Sequence, residues 1–186
     1  MKEKKDEKKP VGFWICCFFV YCFIGWIYEV IWEFKVGNGF VNRGFLFGPY
    51  LPIYGFGVLI SLFAMRKLLK SKIMLFKKIN ITPILVFLCI FFIGSFIEYI
   101  TSAGMEFLFH KRWWDYSYDK FNINGRVSLR NSTLLAIGGF VLVYLVQPLL
   151  NKTLGKFPEK RANILGGIIA TIMIIDLVVT LVGYFI

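Results

Sequence analysis

The stretch VGFWICCFFVYCFIGWIYEVIW, residues 11–32, carries one charged side chain, Glu29, in 22 positions. A run of that length is enough for a helix to cross the ~30 Å hydrocarbon of a bilayer. It is too long for the apolar region of a cleavable signal peptide, and no small-residue cleavage site follows it. It therefore reads as a retained signal-anchor helix. Ahead of it, residues 1–10 form a tail rich in Lys and Glu. Four further apolar runs follow, over about 45–65, from 81 past 100, over 131–150 and over 162–186. The expected fold is all-α: a polytopic membrane helical bundle of about five spans. Its expected organisation is a charged tail over 1–10 and a single transmembrane domain over 11–186.

Composition agrees with the runs. Hydrophobic residues make up 58% of the 186, with 21 Phe, and a soluble domain of this length has no interior large enough to hide them. The bilayer is thus the first partner. The net charge of +11 does not point to nucleic acid, because the cations lie between the apolar runs, as membrane topology signals do. Fifteen Lys and Arg fall in the tail, the second loop and the fourth loop, and seven fall in the first and third loops. By the positive-inside rule the N-terminus is cytoplasmic and the C-terminus outside, in a multi-pass bacterial cell-membrane protein. Cys16, Cys17, Cys22 and Cys89 all lie within apolar runs and make no C-x-x-C pair, so they read as small buried hydrophobes.

Two segments share an order of features. GWIYE (25–29) closes the first run, and GSFIE (94–98) sits at the same depth in the third. Asn42-Arg43-Gly44 precedes the second run, and Asn124-Gly125-Arg126 precedes the fourth. Glu29 to Asn42 is 13 positions, whereas Glu98 to Asn124 is 26. A parallel duplication is expected, with one repeat over 12–65, a second over 81–150 and an extra helix over 162–186. The other reading is chance similarity between two apolar hairpins.

Glu29 and Glu98 would lie ~26 Å from the cytoplasmic edge at 1.5 Å per residue. Ionisable groups at such depth usually face the bundle interior, as a site or as a pair such as Glu29 with Arg43 or Glu98 with Arg126. A helix continuing past Ile100 would set Glu98, Ser102, Glu106 and His110 on one face. Glu106 and His110 have metal-ligand spacing, but they are a lone pair with the chain's single His, so neither metal nor cofactor is expected. The segment 110–117 reads as an interfacial aromatic belt containing Trp113 and Asp115, followed by Asn122, Asn124, Arg126 and Ser128 just ahead of a helix. Arg43 and Arg126 offer planar forks for phosphate or carboxylate, and a helix N-terminus adds backbone donors. Between 42 and 57, Gly44, Gly48, Pro49, Pro52, Gly55 and Gly57 weaken a regular helix beside Tyr50 and Tyr54. A broken or re-entrant start of span two is expected, of the kind that lines cavities. Asp176, about 14 residues into the last run, either joins the site or receives a polar contact from another helix.

The motifs FIGWIYE (23–29), VNRGFLFGPY (41–50), PIYG (52–55), Glu98-Tyr99, RWWDYS (112–117) and NINGR (122–126) resemble a bacterial family of small membrane proteins. The family is labelled putative ABC transporter permease, type IV, or CmpB-like. The similarity runs from about 14 to 150 and implies a membrane protein, a transport subunit with a cytosolic ATPase partner. The chain itself has no G-x-x-x-x-G-K-[S/T] loop and no hydrolase, zincin or Rossmann fingerprint.

The leading expectation is a permease-like or substrate-capturing subunit with a polar site near the outer face. That site would take a small anionic or lipid ligand through Glu29, Asn42, Arg43, Tyr50, Tyr54, Glu98, Trp113, Asp115, Asn122, Asn124 and Arg126. The alternative is an intramembrane enzyme on a lipid or lipid-linked substrate, with Glu98, Glu106, His110 and Asp115 as its acid–base set. A third reading is a structural partner of another membrane protein.

Overall fold

The structure is a computed structural model and describes residues 9–185. Lys2, Lys4, Lys5 and Lys8 of the charged tail, and Ile186, lie outside the described residues. Helix α1 runs Val11–Lys35 and ends where Gly37 takes a left-handed φ of 88°, the usual helix stop. Helix α2 is Pro52–Ala64 and the short α3 is Arg66–Lys70. A small hairpin, β1 Met74–Leu75 with β2 Ile79–Asn80, leads to α4, Thr82–Phe109. A second hairpin, β3 Asn122–Ile123 with β4 Val127–Ser128, leads to α5, Leu129–Val141. That helix continues through a π turn, Leu142–Val146, into α6, Gln147–Thr153, and a 3-10 turn, Leu154–Lys156. Helix α7 is Glu159–Phe185.

Among the described residues four helical stretches are long and apolar enough to cross a membrane: α1, α4, the run Leu129–Lys156 and α7. The protein is an all-α membrane bundle. The second expected span differs from a regular helix over 45–65. Its helix begins only at Pro52, whose fixed φ and missing N–H suit a first turn, and it has 13 residues, ~20 Å. The preceding Gly- and Pro-rich residues stay non-helical. The π turn has a comparable cause. Pro148 cannot donate to the carbonyl four residues back, and the ladder slips just before it.

The core lies between α1, α2, α4 and the α5–α6 run. Phe13, Cys17 and Tyr21 meet Val58, Leu62, Val86, Ile90, Ala136 and Leu142 there. Tyr21 donates to Gln147, which in turn donates to Asn151 at 2.9 Å, a buried polar link from α1 to α6. Helix α7 packs on the outside of α1. The Gly12 N–H donates to Asn163 at 3.0 Å, and Gly12 faces Gly166 so closely that a Cβ on either would overlap the other helix's backbone. Small residues allow this approach in lipid, where packing rather than water drives association. Ile164, Ile168, Ile172 and Ile175 of α7, and Phe92 and Phe96 of α4, remain exposed and present the apolar surface that a bilayer covers.

Candidate functional site

One end of the bundle holds both long loops, 36–51 and 110–121. From the tip of the first, the chain descends beside α1 until the Leu51 N–H donates to the Cys22 carbonyl at 3.0 Å, about halfway along that helix. The descent is pinned by Asp176 of α7. Its carboxylate accepts from the Phe47 N–H at 3.1 Å, the Gly48 N–H at 2.9 Å, the Thr180 hydroxyl at 3.2 Å and the Tyr50 hydroxyl. Asn42 donates to the Phe47 carbonyl at 2.9 Å and accepts from the Trp26 indole at 2.6 Å.

The descending strand places Tyr54 under Glu29, to which its hydroxyl donates at 2.6 Å. Arg43 lies between two carboxylates of α1, 3.7 Å from Glu29 and 3.4 Å from Glu33. Glu98 of α4 is 5% exposed. Its Oε1 accepts from the Tyr116 hydroxyl at 2.9 Å, while its Oε2 is buried and has no hydrogen-bond partner. Such an orphan atom costs ~1–3 kcal/mol, more when charged. Burial first, then the Glu98 carboxylate and Glu29, push the Tyr116 phenol far up, with Arg43 opposing. These groups therefore share one electrostatic neighbourhood.

They also share one cavity, of about 870 Å³. Glu29, Arg43, Tyr54, Glu98, Trp113, Trp114 and Tyr116 line its polar end. From there it continues as an apolar strip over Phe18, Trp14 and Val11 of α1, Phe56 of α2 and Met173 and Leu177 of α7. A smaller apolar pocket, of about 40 Å³, lies between α2, α4, α5 and the π turn.

A second polar network lies beside the cavity. Glu106 pairs with Arg126 at 2.6 Å and with Arg112 at 3.0 Å, and Arg126 also donates to Ser102 at 3.2 Å. Asp115 accepts from the Ser117 hydroxyl at 2.5 Å and the Ser117 N–H at 2.9 Å, and these bonds with Arg112 hold its carboxyl below the usual range. Asn122 accepts from the Gly125 N–H at 2.9 Å, Asn124 donates to Tyr99 at 2.9 Å, and the Trp114 indole donates to the Arg126 carbonyl at 3.0 Å. The Tyr116 N–H donates to the Gly125 carbonyl at 2.8 Å. The hairpin thus acts as a brace that stands Tyr116 over Glu98.

A family model described as Putative ABC-transporter type IV matches residues 16–181. The chain belongs to that family. The match takes in both polar networks and reaches beyond Asp176, so α7 is part of the family's unit as well as α1 to α6. No curated protein and no solved structure matches the chain.

In this ABC-transporter-type protein the expected site residues divide into groups. Glu29, Arg43, Tyr54, Glu98 and Trp113 line one cavity. Asp115, Asn122, Asn124 and Arg126 belong to the bracing network, and Asn42 and Tyr50 shape the descending strand. Arg126 pairs with Glu106 rather than with Glu98. His110 leaves the face shared by Glu98, Ser102 and Glu106, because it closes α4 in a left-handed conformation with φ 52°. Among the described residues no group of three or more His, Cys, Asp or Glu could hold a metal. Tyr116 was not among the expected site residues. The aromatic-belt reading of 110–117 absorbed it, and only the folding back of the hairpin reveals its contact.

Proposed function

We propose that this chain is the substrate-capturing membrane subunit of a transport system. Its site, formed by Glu29, Arg43, Tyr54, Glu98 and Tyr116, takes a small zwitterionic molecule or lipid headgroup from the outer face. One observation carries this reading: Glu98 lines the polar end of a large cavity, and its buried Oε2 lacks a donor. A carboxylate that served only to join helices would have both oxygens bonded, as the Asp176 carboxylate has. The excess of cations in the tail, second loop and fourth loop supports a cytoplasmic N-terminus, and hence a site that opens outside. A separate cytosolic ATPase supplies the energy.

The test is affinity purification of the chain from its own membranes, as wild type and as Glu98→Gln, followed by substrate-stimulated ATP hydrolysis. An ATPase subunit should co-purify with both forms. The Glu98→Gln complex should lose about tenfold or more of its stimulated rate, the effect of one charge-assisted hydrogen bond. A chain that purifies alone, with Glu98→Gln cells growing and transporting as wild type, contradicts the reading.

A further inference from the structure

The cavity has two chemically different parts, and their combination narrows what fits. The apolar strip extends from Val11 to the level of Glu29. Those residues are 18 positions apart on one helix, ~27 Å, most of the ~30 Å hydrocarbon thickness. A soluble polar solute would touch almost none of that strip, whereas a hydrocarbon chain lies along it beside Trp14, Phe18, Phe56 and Met173.

The polar end has its own requirement. Two carboxylates, Glu29 and Glu98, line it against one guanidinium, and that guanidinium is shared with Glu33. The balance is negative. Glu98 Oε2 needs a donor, and Tyr54 and Tyr116 already fill one oxygen on each carboxylate. A primary ammonium carries three N–H donors and one positive charge, which meets both needs at once. The Arg43 side chain is 38% exposed, so N–H groups remain for a phosphate attached to that amine.

We infer that the cavity binds a phospholipid bearing a primary-ammonium headgroup, with its amine on Glu98 and Glu29, its phosphate on Arg43 and a chain along the α1–α2–α7 strip. This rests on the capture-site reading above and adds the substrate class. A trimethylated headgroup keeps the charge but has no N–H for Oε2. A glycerol headgroup supplies hydroxyl donors but leaves the lipid anionic, against a negative site.

The experiment is native mass spectrometry of the full-length purified chain, delipidated in detergent and then offered phosphatidylethanolamine, phosphatidylcholine or phosphatidylglycerol of equal chain length. Phosphatidylethanolamine should be retained at one copy, about tenfold or more tighter than the other two, and Glu98→Gln should remove that preference. Met173→Trp, which fills the strip from the peripheral helix, should abolish retention of all three lipids. It also keeps the inference testable should Glu98→Gln fail to give monodisperse protein. Glu98-dependent retention of phosphatidylglycerol overturns the ammonium class and leaves the capture site standing. Binding of free phosphoethanolamine without any lipid overturns the lipid source alone. Equal retention of all three lipids, indifferent to both variants, identifies ordinary surrounding lipid and overturns the inference and the capture site together.

Discussion

Glu29 and Glu98 stand at corresponding depths on α1 and α4, yet their surroundings differ. Glu29 has a phenol and a guanidinium, whereas Glu98 has one phenol and an orphan oxygen. The Tyr116 hydroxyl donates to Glu98 Oε1 at 2.9 Å. Removing that hydroxyl in Tyr116→Phe should leave the helices intact and weaken substrate-stimulated ATP hydrolysis about tenfold, the cost of one hydrogen bond to a charged group. A Tyr116→Phe protein with full stimulation would show that the phenol does not position Glu98. The pairing of Glu29 with Arg43 was legible in the sequence, since both flank one short loop. The partner of Arg126 was not. A hairpin between Asn122 and Ser128 turns its guanidinium two helical turns past Glu98, onto Glu106, and no linear spacing encodes that turn.

At the scale of elements, the broken lead-in to α2 matters most. Six Gly and Pro residues between 44 and 57 announced that this span would not be a regular helix, and Pro52 marked where helix resumes. How far the strand descends was not readable, because the contact that sets its depth joins Leu51 to Cys22 across the bundle. Nor did the sequence say which of two roles Asp176 takes, although a carboxylate is rare in a membrane helix. It anchors the strand from a helix about 130 positions away. Asp176→Ala removes a carboxylate that holds two N–H groups and two hydroxyls. Hydrogen exchange at residues 46–51 should then rise by an order of magnitude or more, with exchange in α4 and α5 unchanged. Unaltered exchange over 46–51 would mean that packing, not Asp176, holds the strand.

For the whole molecule, length and hydropathy gave the helical membrane fold, because a bilayer demands long apolar helices with internally satisfied backbones. The small hairpins were missed, since each strand has two residues and no alternation to detect. We further propose that α1–α2 and α4–α5 descend from a parallel duplication. Each pair carries a deep carboxylate on its first helix, and an Asn from the following loop bonds an aromatic residue of that helix, Trp26 in one pair and Tyr99 in the other. The face on which the cavity opens decides whether the chain captures substrate from outside. Tyr118, 99% exposed, lies two residues from the site, and Phe76, 85% exposed, lies at the opposite end of the bundle. Of the native cysteines, three are buried and Cys89 is partly buried, so background labelling is low. The direct measurement is labelling of Tyr118→Cys and Phe76→Cys by a membrane-impermeant thiol reagent on intact cells. Labelling of Tyr118→Cys at once, and of Phe76→Cys only after permeabilisation, is the expected result. The reverse pattern would put the Glu29–Arg43–Glu98 site on the cytoplasmic face and contradict capture from outside.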